Sequence, residues 1–186
     1  MPRKKLFLAA MLTLCVTAGF AQGKFFTKTG KIEFYSKAAL EDIEGKNKTV
    51  TAVIDTKTGA LQFAVQMKGF EFEKQLMQQH FNENYAESDK YPKAEFKGAV
   101  VTPASIDFTK EGSYPARVKG KLTLHGVTRE LEATGTIKVA GGRIEMNSSL
   151  NLLLSDYNIR IPAVVRDKIS NSIKVTIDCK LEPLKG

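Results

Sequence analysis

The sequence predicts an all-β protein whose mainly antiparallel sheet buries one face of each strand. Apolar residues recur at every second position in five segments, as strands with one dry and one wet face require. Glycine-containing turns separate several of these segments at short intervals. Because a parallel sheet covered on both faces would read as continuous apolar runs, the alternation favours antiparallel pairing.

The alternating segments lie at residues 61–67, 94–100, 118–124, 131–139 and 173–181. In each of them the apolar side chains fall on one face, and most residues between them are Gln, Glu, Lys or Thr. The intervening turns contain Gly59, Gly126, and the pair Gly141 and Gly142. Glycine adopts the positive φ of a tight hairpin without steric cost, so each of these turns can close a hairpin.

A single segment follows a helical period instead. Over residues 71–81, Phe72, Leu76 and His80 are four positions apart and Met77 lies beside them, with Gln, Glu and Lys on the other side. A polar, acidic loop then leads to Pro92, which favours an extended residue before it. The sequence therefore predicts one short helix inserted among about eight strands, arranged as a closed barrel or as a two-layer sandwich.

The first residues predict export. Basic residues 3–5 precede an apolar run over residues 6–16, and Gly19 and Ala21 supply the small side chains of a cleavage site. The run is shorter than the roughly 20 residues that a spanning helix needs. We therefore predict a signal peptide over residues 1–21, a single domain over residues 22–186, and a periplasmic or secreted protein.

Composition argues against several classes of function. His80 and His125 are the only histidines, and the two cysteines add too few ligands for a metal site. No nucleophile elbow and no glycine-rich phosphate loop is present. Cys15 leaves with the signal peptide, and Cys179 lies on an apolar strand face, which predicts an inert buried thiol.

Charge suggests little beyond a weak membrane contact. The chain has 28 Lys and Arg residues against 20 Asp and Glu residues, a formal charge of +8. Lys and Glu alternate on the outer strand faces without clustered aromatic residues, which argues against nucleic-acid binding. A modest positive charge favours transient contact with anionic membrane surfaces.

Two stretches resemble a known family. Residues 80–98 read HFNENYAESDKYPKAEFKG, and residues 120–137 read GKLTLHGVTRELEATGTI. The sequence in both places, and the spacing between them, is similar to that of the YceI-like family of exported lipid-binding proteins. The matching residues are Tyr91, Pro92 and Phe96 in the first stretch and Gly120, Leu122, Thr123, Gly126, Val127 and Thr128 in the second.

The resemblance implies a lipocalin-like antiparallel barrel of about eight strands that holds a long isoprenoid or other lipid, without enzymatic activity and without a further cofactor. A barrel of this size has room for one slender ligand, or for side chains that fill it completely. Both possibilities remain open for the apolar strand faces. If a ligand cavity exists, we expect it to be lined by Phe63, Val65, Met67, Phe96, Leu122, Leu124, Ile137, Met146, Leu150, Leu152, Val175 and Ile177.

The inserted helix is a candidate lid. We expect Phe72, Leu76 and Phe81 to cover one mouth of the barrel and Met77 to adapt to a flexible tail. The alternative is that the helix plugs the barrel permanently. At the level of the whole protein, the alternatives to a lipid carrier are a small exported enzyme that uses the cavity and an interaction module with a solid core.

Overall fold

Eight antiparallel strands close into a barrel in which each strand pairs with the next and β8 pairs with β1. A computed structural model describes residues 23–184 of the chain. The predicted signal peptide, residues 1–21, lies outside these residues. The strands are β1 (Lys24–Lys37), β2 (Asp42–Asp55), β3 (Ala60–Gln66), β4 (Lys93–Val100), β5 (Gly112–Leu124), β6 (Val127–Ala140), β7 (Arg143–Leu153) and β8 (Ser172–Pro183). The predicted antiparallel barrel is confirmed, and the sandwich alternative was wrong.

The predicted glycine turns connect consecutive strands. Gly141 and Gly142 form the two-residue connection between β6 and β7, with φ of +56° and +71°. Two positive φ values match the twist of a tight hairpin, and glycine adopts them readily. Gly126 has a φ of +74°, and a Cβ there would lie 2.6 Å from Cε1 of Tyr91. The β5–β6 turn is therefore fitted closely against the loop that precedes β4.

The two ends of the barrel differ. At one end, which we call the packed end, the strands are joined by residues 56–59, 101–111 and 141–142. At the other end, which we call the mouth, they are joined by residues 38–41, 67–92, 125–126 and 154–171. Apolar side chains fill the packed end and are almost completely buried. They are Val50, Ala52, Ile54, Val100, Ile106, Ile144, Cys179 and Leu181.

A β-bulge in β2 lies between the packed end and the mouth half of the barrel. The pairing of β1 with β2 shifts between the Gly30–Val50 and Ile32–Asn47 pairs. The Asn47 side chain is fully buried. Its amide donates to the Gln66 carbonyl at 2.9 Å, and its Oδ1 accepts from the backbone N–H and the hydroxyl of Thr49 at 2.9 and 3.0 Å. The bulge is therefore stabilised by a buried polar side chain whose hydrogen bonds are satisfied.

The inserted helix begins later than the sequence predicts. The α-helix α1 spans Gln75–His80 and continues as a π-helical turn over Phe81–Tyr85. Glu71 is still extended, because its backbone pairs with Lys46 through hydrogen bonds of 2.8 and 3.0 Å. The helical period of residues 71–81 did not reveal this pairing, so the predicted start was four residues too early.

Cys179 provides a chemical test of the packed end. The side chain is fully buried, and burial raises the pKa of its thiol to about 12. Because the thiolate is the reactive form, the thiol stays protonated and unreactive at neutral pH. In the chain without residues 1–21, we expect Ellman's reagent to detect no thiol in the folded protein and one in urea. Rapid reaction of the folded protein would show that the packed end opens readily.

Candidate ligand-binding cavity

The mouth half of the barrel encloses a cavity of about 630 Å³. This volume lies within the range of roughly 300–1,000 Å³ that is typical of small-molecule sites. Inward-facing side chains of every strand line it, and most are apolar. The structure places all twelve residues of the predicted lining on its wall: Phe63, Val65, Met67, Phe96, Leu122, Leu124, Ile137, Met146, Leu150, Leu152, Val175 and Ile177. Their role in binding a ligand stays a prediction.

The floor of the cavity is the boundary with the packed end. Leu61, Ile137 and Met146 line the cavity and also belong to the buried core. Beyond them the cavity ends, because Ile54, Leu181 and the other residues of the packed end do not line it. A ligand can therefore occupy the mouth half only.

Two small residues line the middle of the cavity. Ala116 on β5 lies directly opposite Gly135 on β6, and both line the cavity. A Cβ on Gly135 would lie 2.3 Å from the Asn147 carbonyl oxygen, so this position cannot carry a side chain without moving β7. On the neighbouring wall, Phe63 and Phe96 pack with ring centroids 6.4 Å apart. Bulky rings on β3 and β4 and small residues on β5 and β6 therefore line the same cavity.

Four phenylalanines hold the helical segment against the mouth. Phe34 on β1 contacts Phe70, Phe72 and Phe81 at centroid distances of 5.3, 5.7 and 5.6 Å. Phe81 also contacts Phe70 and Phe72 at 5.4 and 5.1 Å. We call these four residues the aromatic cluster. Stacked, tilted and edge-on aromatic contacts of this kind add about 0.5–1.5 kcal/mol per pair beyond area burial.

The structure brings the four predicted lid residues together at the cavity. Phe72, Leu76, Met77 and Phe81 all line it. Phe72 precedes α1 and is held by the aromatic cluster together with Phe81, whereas Leu76 is 61% exposed. No residue of α1 is fully buried. The helical segment is therefore attached to the barrel mainly through the phenylalanines on either side of α1, and its movement as a lid stays a prediction.

Replacing Phe81 by alanine tests this attachment. We expect Phe81→Ala to increase the amide hydrogen exchange of residues 75–85, because the substitution removes three aromatic contacts. Strand amides of β7 and β8 should keep their protection. Leu76→Ala, which deletes an exposed apolar side chain from the same segment, is the matched control and should change little. Equal exchange in wild type and Phe81→Ala would contradict the assigned attachment.

The acidic and basic side chains that line the cavity all lie at the mouth. Glu41, Lys74, His80 and Lys168 line the cavity, and all four belong to segments at the mouth. Lys74 Nζ lies 3.4 Å from Glu41 Oε1. The interior is thus uncharged, while the opening offers groups of both signs to a polar head group.

Two tyrosines bring phenol groups to the cavity wall. Tyr85 and Tyr157 both line it. Burial raises the pKa of each phenol above its ordinary value, and for Tyr157 the Asp156 carboxylate raises the pKa further. Both phenols are therefore neutral at physiological pH.

His125 links three segments of the mouth. Its Nε2 lies 2.6 Å from Glu87 Oε2, and its Nδ1 lies 3.1 Å from the Tyr157 carbonyl oxygen. The Tyr91 ring packs on the imidazole at a centroid distance of 4.5 Å. The β5–β6 turn, the loop before β4 and the turn after β7 are thereby joined. Since Tyr157 also lines the cavity, His125 is a positioning residue for the wall.

The wall between β6 and β7 changes character along its length. The ladder between these strands runs from Ala140–Arg143 at the packed end only as far as the Gly135–Ser148 pair. Beyond it β6 pairs only with β5, and β7 only with β8. Ser148 Oγ donates to the Thr134 carbonyl at 2.7 Å at the point where the strands part. On the mouth side of this pair the wall therefore lacks a backbone ladder between β6 and β7, and Arg129 of β6 donates to the Asp156 carbonyl of the turn after β7.

Several lining residues were missed by the sequence reasoning. On β1, Ile32, Phe34 and Ser36 line the cavity, and their alternation with Glu33 and Tyr35 is the signal that could have identified them. The connection between β7 and β8 contributes a further set without any regular period. These residues are Leu154, Tyr157, Ile159, Val165 and Ile169.

A closed eight-stranded antiparallel barrel with an apolar cavity open at one end is a lipocalin-like barrel. The chain belongs to the family of YceI-like domains, whose model matches residues 18–181. The resemblance noted in the sequence is thereby confirmed. No curated protein matches the chain.

Solved structures share this fold at low sequence identity. A polyisoprenoid binding domain from Saccharophagus degradans, implicated in plant cell wall breakdown, is 16% identical with a TM-score of 0.75, covering 88% of this chain and 99% of that one. BcnA from Burkholderia cenocepacia is 19% identical with a TM-score of 0.67, covering 82% and 95%. The YCEI protein of Campylobacter jejuni is 19% identical with a TM-score of 0.59, covering 76% and 85%.

Residues 23–184 contain neither a membrane-spanning helix nor a metal-binding cluster. No helix in this part of the chain has the length and apolar character needed to cross a membrane. Within the same residues, no group of three or more His, Cys, Asp and Glu side chains is arranged to hold a metal ion.

Proposed function

We propose that this chain is an exported, non-enzymatic lipid-binding protein that holds one isoprenoid or similar long-chain amphiphile for transport or storage. The observation that carries the proposal is the cavity of about 630 Å³, which is apolar inside, ends at a packed floor and has its charged lining residues at the mouth. An exported location is supported by the predicted signal peptide over residues 1–21.

The burial of hydrocarbon supplies the binding energy. Each methylene-sized group removed from water contributes about 0.8 kcal/mol. A tail of a dozen or so carbons would therefore contribute roughly 10 kcal/mol before the cost of ordering it, which is enough for useful affinity without a charged contact. The tail enters first, because a charged head group has no partner among the apolar side chains near the floor.

The head group remains at the mouth. Lys168, His80 and the Lys74–Glu41 pair line the cavity there. No ion pair involving Lys168 is found within residues 23–184, so its ammonium group is available to an anionic or polar head group. Arg129, in contrast, already donates to the Asp156 carbonyl.

The cavity and one structural neighbour support the proposed class of ligand. The Saccharophagus degradans domain is described as polyisoprenoid binding, which supports an isoprenoid as the first ligand to test. The cavity itself argues against the solid-core interaction module, since the mouth half is hollow. A binding role rather than catalysis is supported by the apolar lining.

Extraction and reloading test the proposal. The protein is purified from its own host without detergent, extracted with organic solvent and examined by mass spectrometry. We expect one long-chain lipid in up to equimolar amount, and we expect the extracted protein to bind a prenyl alcohol or a polyene fatty acid that reports by fluorescence. A ligand-free protein that also fails to bind both compounds would refute the proposal.

A further inference from the structure

The most exposed large apolar side chains of the described residues lie at one end of the barrel. Val164 is 90% exposed, Leu40 is 71% exposed and Leu76 is 61% exposed. All three belong to segments of the mouth, and we call them the apolar rim. The remaining exposed large apolar residues are 44% exposed or less. Exposed apolar groups concentrated in this way mark an interaction surface.

Direct contacts hold the three rim segments next to one another. The Leu40 amide donates to the Asp167 carbonyl at 2.8 Å, which joins the β1–β2 turn to the segment that carries Val164. Lys74 and Glu41 form an ion pair at 3.4 Å, which joins the same turn to the start of α1. The three rim segments therefore lie side by side, and each contributes a residue to the lining of the cavity, namely Glu41, Leu76 and Val165.

Local hydrogen bonds fix the rim in its exposed position. The turn that carries Leu40 is closed by the Ala38 amide, which donates to the Glu41 carbonyl at 3.3 Å. Val164 lies in a 3-10 turn, Ala163–Val165, in which the Val165 amide donates to the Pro162 carbonyl at 3.1 Å. The side chains are thus presented by defined turns of the backbone.

The segment that carries Val164 is basic, whereas the other two rim segments carry Glu41, Glu71 and Glu73 against Lys74. Residues 160–169 contain Arg160, Arg166 and Lys168 against Asp167 alone, which is three basic groups and one acidic group, a net charge of +2. All four side chains are exposed. Each basic residue near an anionic membrane surface adds favourable binding energy, and aliphatic side chains next to such groups enter the interfacial region of the bilayer.

We propose that the apolar rim inserts into the surface of an anionic lipid membrane and seats the mouth of the cavity against it. In this orientation a lipid tail passes between bilayer and cavity without crossing water, and the basic residues of the 160–169 segment contact lipid phosphates. The purpose of the contact rests on the proposed lipid-binding function, whereas the contact itself depends only on the rim.

Flotation with vesicles tests the contact. The chain from Gln22 onward contains every strand of the closed barrel and lacks the apolar leader, which would itself bind vesicles. Vesicles contain phosphatidylcholine and phosphatidylglycerol in equal parts, or phosphatidylcholine alone. The test variant, which we call the rim variant, combines Leu40→Ser and Val164→Ser and keeps Leu76, because Leu76 lines the cavity. The matched control combines Val101→Ser and Leu184→Ser, two exposed apolar residues near the packed end.

We expect wild type and control to float with the anionic vesicles, and to bind phosphatidylcholine vesicles more weakly. The rim variant should partition into anionic vesicles at least about tenfold less, since the insertions of two apolar side chains are lost. Equal flotation of the rim variant and wild type would overturn the proposal. So would a wild-type dimer that the rim variant dissociates, because the rim would then be covered by a second copy of the chain.

A second measurement separates this proposal from the proposed function. The rim variant should still bind the fluorescent polyene fatty acid in solution, which also shows that it is folded. A wild type that floats with vesicles but binds no lipid in solution would keep the docking surface and remove the carrier function. A wild type that binds lipid in solution but does not float would remove the docking surface alone.

Discussion

Ala116→Trp is expected to abolish lipid binding while the barrel stays folded. Ala116 lies on the cavity wall opposite Gly135. An indole at this position occupies volume above the floor that a lipid tail needs. The measurement is a titration with the polyene fatty acid. We expect a loss of affinity of at least about a hundredfold, since several methylene contacts disappear.

The matched control for Ala116→Trp is Lys119→Trp on the same strand. Lys119 is exposed on the outer face, so its replacement adds an indole without entering the cavity. Because Ala116→Trp fills existing space, the free energy of unfolding should fall by no more than the roughly 1–3 kcal/mol that is typical of overpacking. Ala133→Phe, a second blocking variant on β6, covers the case in which Ala116→Trp unfolds. Unchanged affinity in a folded blocking variant would show that the ligand binds elsewhere.

Leu181→Ala is expected to be the more destabilising of two matched leucine truncations. Leu181 is fully buried in the packed end, and its truncation leaves a void among close-packed neighbours. The free energy of unfolding should fall by about 2–5 kcal/mol. Leu150→Ala removes the same atoms from the cavity wall, where one side of the side chain already faces empty space. A wall position has fewer contacts to lose, and we expect a cost below about 1.5 kcal/mol.

Urea denaturation of the two leucine variants measures this difference directly. The expected order reflects a division of the barrel in which the packed end supplies stability and the mouth half supplies binding volume. Addition of lipid should then stabilise wild type, because a ligand that binds only the folded state shifts the unfolding equilibrium. Equal destabilisation by Leu181→Ala and Leu150→Ala in the ligand-free protein would contradict the division.

The alternation of apolar residues predicted which side chains face inward, because the two-residue period of a strand is a local property. Phe63, Val65, Leu122 and Val175 were found in this way, and each lines the cavity. The same period cannot tell whether the interior is hollow, since Ile177 on the cavity wall and Leu181 in the packed end occupy equivalent positions of one strand. The side chains that meet across the barrel decide this, and that is a property of all eight strands together.

Other features were beyond a local pattern for the same reason. The start of α1 depends on the pairing of Glu71 with Lys46, which lies on another strand. The aromatic cluster depends on Phe34, from a strand whose inward face the sequence analysis did not assign. The division of the barrel was not predicted either, because the bulge at Asn47 becomes visible only in the register of β1 against β2.

The central claim is that a lipid tail lies inside the mouth half of the barrel and stops at the packed floor. Nuclear magnetic resonance with a fatty acid that carries a nitroxide at its tail end tests this most directly. We expect the methyl signals of Leu150 and Ile177 to broaden strongly and those of Leu184, on the outside, to remain sharp. Broadening of Leu184 with sharp signals from Leu150 and Ile177 would contradict the claim.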